Sequence, residues 1–304
     1  MCGWITEPRE VVLSLCHIPL CDRRGGYGAI RNKGGLYYDD HARGSASQGM
    51  PIGILMADTL TPHIIGDVEN GFTYEFPVRF LTVRDATALR CAQRDAALEK
   101  RCVEAAQHLE QDGCQAVACG NSAFAMFESA LSAAVHIPVI SSALLQAPFA
   151  AQVISPSKRI AVLTDNPLLR PADCTGYGLT EDHVVIGHMA EHGAFYQAFW
   201  GKHDHYIYED VKADVLNAIC ALVHENPNIG VIICEGASFT PFSADICRTT
   251  GLPVFDLVTL IRLVASGILR GMTDPFKNRL NGGVTSVPPA WGQRPQPETK
   301  EGAL

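Results

Sequence analysis

Beyond about residue 50, short runs of apolar residues alternate with longer segments in which apolar residues recur at helical spacing. Short apolar runs are typical of strands buried on both faces, and their alternation with helical segments is typical of parallel sheets covered by helices. The runs that predict strands are residues 52–56, 115–119, 139–140, 159–163, 184–186, 230–234 and 254–255. The sequence therefore predicts an α/β fold.

Three of the longer segments predict helices, namely residues 84–111, 208–224 and 257–270. Asp112 followed by Gly113 gives the first of them a stop signal. Residues 1–50 show little periodicity and many glycines, so we expect an irregular N-terminal extension. Residues 281–304 hold four prolines among polar residues, which predicts a mobile C-terminal tail.

The chain contains an internal duplication. Residues 115–127 align with residues 230–242 at an offset of 115, which places Cys119 on Cys234 and brings two phenylalanine pairs into register. The same offset places residues 137–139 on residues 252–254, and the first strands of the two halves correspond at an offset of 108. A repeat of this kind predicts two similar α/β units.

We therefore expect two pseudo-symmetric lobes, each a parallel sheet flanked by helices. The expected division is residues 51–157 with 256–280 in lobe 1 and residues 158–255 in lobe 2. In each half, a strand ends in small residues that lead into a helix, and open parallel sheets bind ligands beyond such carboxyl ends. Backbone amides at these turns are suited to bind an anion. The duplication thus predicts one ligand site between the lobes.

Composition narrows the range of functions. The 304 residues include 24 Lys or Arg and 32 Asp or Glu, a net charge of −8, and no basic block that could bind phosphates. We therefore expect no nucleic-acid partner. No run reaches the roughly 18 apolar residues of a membrane span, so we expect no membrane partner. The apolar run at residues 11–21 lacks the basic flank and cleavage site of a signal peptide, so we expect a cytoplasmic location. The 11 cysteines form no CxxC pair, and we interpret them as thiols without a structural zinc.

Several ordered segments carry a family resemblance: residues 52–59 (IGILMADT), 66–70 (GDVEN), 76–78 (FPV), 137–146 (IPVISSALLQ) and 252–256 (LPVFD). From about residue 50 to 270, the chain resembles the aspartate/glutamate racemase superfamily. The similarity is greatest to the branch with a Gly-Asp-(Val/Ile)-Gly-Asn segment after the first strand. The superfamily includes amino-acid and hydantoin racemases, maleate isomerase and arylmalonate decarboxylase. The resemblance implies a two-lobed α/β fold with a cofactor-free site between the lobes.

The resemblance also implies a chemistry that usually requires two thiols. Members act on a carbon next to a carboxylate or carbonyl, where a thiolate exchanges a proton and amide and hydroxyl donors stabilise the enolate-like intermediate. In this chain, the two usual cysteine positions fall on Asn121 and Gly236, so both thiols are replaced. Each half has a cysteine two residues earlier, and residues two apart on a strand point to the same side.

Two interpretations of Cys119 and Cys234 stay open: a displaced acid–base pair, or two small buried residues at strand ends. Glu235 is either a general base or a structural carboxylate. These three residues are the catalytic candidates. The candidates for substrate binding are Asp58, Thr59, Gly120, Asn121, Ser122, Ser141, Ser142, Thr164, His188, Gly236, Ala237 and Ser238.

Further polar residues follow strands of the second half. Asp165 either lines the mouth of the site or caps a helix. His188, Glu191 and His192 form a candidate acid–base group, and residues 203–205 (His-Asp-His) form another. Surface histidines that take no part in chemistry are the commoner case for both groups.

These observations favour a cofactor-independent isomerase or lyase that acts on a small carboxylate or cyclic carbonyl compound through an enolate-like intermediate. Loss of both usual thiols favours a reaction with a single acid–base group, such as a decarboxylase or another lyase. A carboxylate-binding protein without catalysis and an oligomeric scaffold without a ligand are the alternatives. We expect no metal and no cofactor, and a homo-oligomer is compatible with the sequence. Thiols buried behind the turns would favour binding over catalysis.

Overall fold

The computed structural model describes residues 51–59, 61–87, 90–91, 93–200 and 205–269, and the backbone of two earlier strands. These strands, Ala29–Asn32 (β1) and Gly35–Tyr38 (β2), form an antiparallel pair within the extension that we expected to be irregular. The rest of residues 1–50 and the tail at 281–304 lie outside the described residues, as do two members of the predicted group at 203–205.

The described chain forms two four-stranded parallel sheets. The first contains Ile52–Met56 (β3), Val78–Thr82 (β4), Ala116–Cys119 (β5) and Val139–Ile140 (β6), in the order β4-β3-β5-β6. The second contains Arg159–Thr164 (β7), Val184–His188 (β8), Ile229–Glu235 (β9) and Val254–Phe255 (β10), in the order β10-β9-β7-β8. Read from β8, the second order is β8-β7-β9-β10, so in both sheets the second strand of the half lies at the edge, followed by the first, third and fourth strands.

The strand register repeats as well. In the first sheet, Leu55 pairs with Cys119, and in the second sheet, Leu163 pairs with Cys234. These pairs are related by the two offsets found in the sequence. The predicted duplication and the predicted α/β fold class are therefore confirmed.

Seven helices of the described chain cover the sheets. They are Ala96–Gln111 (α1), Glu128–Ala134 (α2), Ala147–Val153 (α3), Ala194–Trp200 (α4), Tyr208–Glu225 (α5), Ser243–Thr250 (α6) and Leu257–Leu269 (α7). The helices predicted at 208–224 and 257–270 are confirmed within the described residues. None of the described helices has both the length and the apolar character needed to cross a bilayer.

The long helix predicted over residues 84–111 is not continuous: residues 90–91 are helical, but residues 93–94 form a turn. Arg94 has a φ of +51°, which a helix does not allow, and α1 begins only after Asp95. The Asp95 side chain accepts the amides of Ala97 and Leu98 at 2.9 and 3.0 Å, so it caps the new helix. Strand β4, which lies at the sheet edge, was not predicted at all.

The two halves exchange their last helices. Helix α7 follows the second sheet but packs on the first, where Ile261 lies in a buried cluster with Ile52 and Ile54. Helix α3 follows the first sheet but packs on the second, where Ala147 lies in a cluster with Val162. The opposite faces of the sheets are covered by helices of the same half, α1 and α2 on the first and α4, α5 and α6 on the second. The lobe boundaries given above stay a prediction.

Candidate active site

Two equivalent turns lie where central strands of the two sheets end. Strand β5 leads through Gly120 and Asn121 into the 3-10 helix Ser122–Phe127, and β9 leads through Gly236 into the 3-10 helix Ala237–Phe242. Both turns follow the carboxyl ends of parallel strands, which is where such sheets bind ligands. The candidate site is therefore built outward from these turns.

The positions of the two expected thiols have structural roles. The Asn121 side-chain oxygen accepts the amide N–H of Ala123 at 2.9 Å and so caps its 3-10 helix. Gly236 has a φ of +144°, a conformation that residues with a side chain rarely adopt. A Cβ atom added there would lie 2.8 Å from Asp165 Oδ1. The carboxyl group of Asp165 thus occupies the space that a side chain at residue 236 would fill.

Serines from both turns hold the Asp165 carboxyl group. Ser238 Oγ donates to Asp165 Oδ2 at 2.6 Å, and the Ser122 hydroxyl donates to the same carboxyl group. Burial raises the pKa of Asp165 to about 6, and the serine hydrogen bonds offset part of this effect. The residue remains partly accessible to solvent. A carboxylate in this setting is suited to accept a proton near neutral pH.

Glu235, the last residue of β9, is a second buried carboxyl group at the site. Ser142 Oγ donates to Glu235 Oε1 at 2.9 Å, and the Leu144 amide donates to Oε2 at 3.3 Å. Burial raises the pKa of Glu235 to about 7, Ser142 lowers it in part, and the charge of Asp165 raises it further. The Tyr177 hydroxyl also hydrogen-bonds Ser142. Because Ser142 follows the first sheet, this contact joins the two halves of the chain.

A third carboxyl group, that of Glu69, lies against the first turn and was not among the predicted site residues. A Cβ atom added to Gly120 would collide with it. Glu69 Oε1 accepts the Ala57 amide at 3.0 Å, and Oε2 lies 3.0 Å from His63 Nε2. His63 Nδ1 lies 3.2 Å from Asp67 Oδ2. Glu69 stands where the similar superfamily branch has glycine. This replacement was the sequence signal that could have identified Glu69 as a site residue.

The His63 side chain bridges these two carboxylates as a cation. Burial lowers its pKa, but the hydrogen bonds and charges of Asp67 and Glu69 outweigh this effect and raise the pKa to about 10. The imidazolium therefore persists at neutral pH. Glu69 is consequently engaged in an ion pair and an amide hydrogen bond, unlike Asp165, which has neither a histidine nor a basic partner among the described residues.

Both candidate thiols are fully buried. Cys119 packs in the cluster with Leu98 of α1, and Cys234 packs in the cluster with Val215 of α5, so the two lie on different sheets beneath helices. Burial raises the pKa of each thiol well above its usual range. This environment disfavours the thiolate that proton exchange requires. An acid–base role for these cysteines stays a prediction without support from their surroundings.

Other predicted residues are distributed more widely. Asp58 and Thr59 are exposed, and Asp58 Oδ2 accepts the Asp85 amide at 2.9 Å. Ala237 packs in the cluster that α7 forms with the first sheet. Ser141 is fully buried, and its hydroxyl has no hydrogen-bond partner among the described residues.

A cavity of about 270 Å³ opens beside the second turn, at the ends of β7 and β8; we call it the β7–β8 cavity. Its polar lining includes Thr164, Asp165, His188 and Glu191, so it brings together four residues named in the sequence analysis. The Thr164 hydroxyl is buried and accepts the Asn166 amide at 3.0 Å. The cavity therefore gives a small ligand access to the Asp165 carboxyl group.

A larger groove of about 500 Å³ lies elsewhere, between the segment around Phe72 and helices α6 and α7. It includes Asp256 and Arg262 but none of the predicted site residues. Within the described parts of the chain, no group of three or more His, Cys, Asp or Glu side chains is arranged to hold a metal ion. The β7–β8 cavity and its neighbouring turn are thus the candidate active site.

Comparison with proteins of known name finds two sequence relatives. One is dimethylsulfoniopropionate lyase 5 of Emiliania huxleyi, 25% identical over 210 residues, which cover 62% of this chain and 40% of the relative. The other is a dimethylsulfoniopropionate lyase of Durusdinium sp. clade D, 25% identical over 240 residues, which cover 76% of this chain and 77% of the relative. The chain thus spans well under half of the Emiliania relative. No family model matches the chain.

Among solved structures, a glutamate racemase from Bacillus anthracis matches with a TM-score of 0.47 and 15% identity, over 73% of this chain and 82% of the racemase. Unliganded arylmalonate decarboxylase matches with a TM-score of 0.45 and 16% identity, over 71% of this chain and 93% of the decarboxylase. The described strand order and register show an α/β architecture of two equivalent parallel sheets, with equivalent turns at the ends of β5 and β9.

Proposed function

We propose that this protein is a lyase that removes a proton next to the carboxylate of a small acid and expels a leaving group from the neighbouring carbon. Two relatives are named dimethylsulfoniopropionate lyases, so dimethylsulfoniopropionate is the first substrate to test. The proposed reaction needs a single base and no thiol. It is therefore compatible with a chain that has Asn121 and Gly236 at the usual thiol positions.

In the proposed step, the Asp165 carboxylate takes the proton from the carbon next to the substrate carboxylate. The electron pair of the broken C–H bond forms a C=C bond as the C–S bond breaks, and the sulfur leaves with its electron pair. The products are dimethyl sulfide and acrylate, and the proton on Asp165 passes to water. Hydroxyl and amide donors at the two turns would stabilise the charge that develops on the substrate carboxylate.

One observation carries the proposal: the Asp165 carboxyl group lies where the second thiol would stand. Its Oδ1 atom is 2.8 Å from the position of a Cβ on Gly236. Its pKa, raised by burial to about 6, suits a base that works near neutral pH. Glu235 is proposed as a positioning residue, because Ser142 and Leu144 hold it and the charge of Asp165 acts on it.

The test is to measure release of dimethyl sulfide from dimethylsulfoniopropionate by the purified protein. Asp165→Asn should lower kcat by about 10²- to 10⁴-fold, the usual range for loss of a general base. The exposed Asp182→Asn serves as the matched control and should be unaffected. In the wild type, kcat/KM should rise with pH through an inflection near pH 6, because the base must be ionised. Full activity of Asp165→Asn would refute the proposed base.

A second candidate is a carboxylate-binding protein without turnover, which the burial of both Cys119 and Cys234 favours. It predicts that small carboxylic acids bind in calorimetry but are recovered unchanged. It also predicts no exchange of the proton next to the carboxylate in deuterated water. Any substrate-dependent deuterium incorporation that Asp165→Asn abolishes would exclude it.

A further inference from the structure

We infer that the β7–β8 cavity binds a permanent organic cation, a sulfonium or quaternary ammonium group, and so selects acids that carry such a group near the carboxylate. This inference rests on the proposed function, since it names the part of the substrate that the same site would recognise. Three features of the cavity carry it: the charge of its lining, its aromatic surface and the way that surface is fixed.

The charge of the lining favours a cation. Asp165 and Glu191 both line the cavity, and no lysine or arginine is among the described residues that do so. Neither carboxyl group forms an ion pair within the described chain. A neutral or anionic group would leave the Asp165 carboxylate without a counter-charge as water is displaced, whereas a cation would offset that cost.

The cavity also has an aromatic surface. Phe195, Tyr196 and Trp200, all on α4, line it, and the thioether of Met189 adds a polarisable group. The Tyr196 and Trp200 rings are stacked, with centroids 6.5 Å apart and planes 10° apart. They are one helical turn apart, and each is about two-fifths exposed, at 38% and 40%. Faces of Trp and Tyr rings attract organic cations through their quadrupoles.

Contacts at both ends of α4 fix this aromatic surface beside the proposed base. The Phe195 ring stacks on Phe239 of the second turn, with centroids 4.9 Å apart and planes 16° apart. The Phe195 amide donates to Asp214 Oδ2 at 3.1 Å, and Thr61 Oγ1 donates to the Ala198 carbonyl at 3.3 Å. The cation site and the Asp165 carboxyl group are thus parts of one packed unit.

The cavity volume sets the size of the ligand. Pockets for drug-sized ligands measure about 300–1,000 Å³, and the β7–β8 cavity, at about 270 Å³, falls just below this range. It therefore suits a small onium acid and not a large one. A methylated onium head presents a weakly hydrated surface, which an aromatic wall can contact at a low desolvation cost.

The experiment compares two acids of the same shape by calorimetry. One is 3-(trimethylammonio)propanoate, and the other is 4,4-dimethylpentanoate, in which carbon replaces the charged nitrogen. We expect the cationic acid to bind at least about 10-fold more tightly to the wild type, given the usual strength of desolvated cation–aromatic contacts. Equal affinity for the two acids would overturn the inference, and this comparison needs no variant.

Variants then test whether the preference for the cationic acid arises in the β7–β8 cavity. Trp200→Leu and Tyr196→Leu should each reduce the preference for the cationic acid by about 3- to 10-fold while leaving affinity for the neutral acid within about 2-fold. Phe149→Leu is the matched control, since Phe149 is also exposed, at 56%, but contacts Phe255 outside the cavity. It should retain the full preference. An unchanged preference in both Trp200→Leu and Tyr196→Leu would overturn the assignment to this cavity.

The outcomes for the cavity and for the enzyme are separable. If dimethylsulfoniopropionate is cleaved but the two acids bind equally, the proposed function stands and the cation site is refuted. If the cationic acid is preferred but no sulfide is released, the cation site stands and the lyase is refuted.

Discussion

At Asp165, the requirements of stability and of chemistry oppose each other. The carboxyl group is surrounded by protein, and its pKa is raised from 3.8 to about 6 by burial. A carboxylate held in this state costs folding free energy whenever it is ionised. The neighbouring Glu235, with a pKa raised to about 7 mainly by burial, adds to that cost. Two such groups side by side are typical of a functional site and not of a structural core.

Asp165→Asn should therefore stabilise the fold at alkaline pH. Above pH 6 the native carboxyl group is charged, and removing that charge should raise the free energy of unfolding by about 1–2 kcal/mol after allowance for solvent access. Between pH 6 and pH 4 the native state of the wild type binds the extra proton, so the wild type gains stability and the advantage of the variant disappears. Urea unfolding at pH 8 and pH 5 measures both effects. A variant less stable than the wild type at pH 8 would contradict the argument.

The location of the two turns could be predicted from the sequence. Which side chains from other loops would lie against their glycines could not. Gly120 and Gly236 follow predicted strands in both halves, so their place at the sheet edge followed from the duplication. The contact of Glu69 with Gly120 depends on the path of the loop after β3, which no periodic pattern describes. The approach of Asp165 to Gly236 depends likewise on two loops that fold against each other.

At the scale of elements, apolar runs predicted seven of the eight strands in the two four-stranded sheets. Strand β4 was not predicted because Arg79 in its middle interrupts the apolar run of Val78, Phe80 and Leu81. The break before α1 was not predicted because the apolar stripe continues through it. The change of chain direction depends on positive φ angles at Asp85 and Arg94, which the apolar pattern does not show. The sequence signal for the break was Asp95, a good N-cap residue directly before Ala96.

This cap makes Asp95 the residue on which the start of α1 depends. Asp95→Ala removes the oxygen that accepts the amides of Ala97 and Leu98, and also the contacts of 2.9 and 2.6 Å from the Arg90 guanidinium. It should therefore cost about 1–2 kcal/mol of unfolding free energy. Asp95→Asn keeps the cap oxygen and should cost less. Urea unfolding of the two variants gives the comparison. Equal losses would assign the effect to the Arg90 ion pair and not to the cap.

At the scale of the whole molecule, the exchanged helices make each sheet depend on the other half of the chain. Ile261 of α7 is fully buried against the first sheet, although its helix follows the last strand of the second. The contact between Ser142 and Glu235 adds a polar link between the halves. Neither sheet can lose its cover without exposing apolar surface in the other half.

We therefore expect the described core to unfold in a single transition. Ile261→Ala should lower the free energy of unfolding by about 2–5 kcal/mol, as for other buried aliphatic truncations. Leu263→Ala, on the same helix but 60% exposed, is the control and should change it little. Hydrogen exchange should show that Ile261→Ala reduces protection in β3 and β9 alike. A loss confined to β3 would show that the halves unfold independently.

The exchange of α3 and α7 also bears on how such a chain could have arisen. A single repeat, taken alone, would have one sheet face uncovered and a terminal helix with nothing to pack on. In a pair of copies, the last helix of each copy would cover the open sheet face of the other, as in a domain-swapped dimer. Gene fusion would then convert a symmetric pair into one chain and release the two turns to diverge. Asn121 in one turn and Gly236 in the other are the differences that a fused chain can hold and a symmetric dimer cannot.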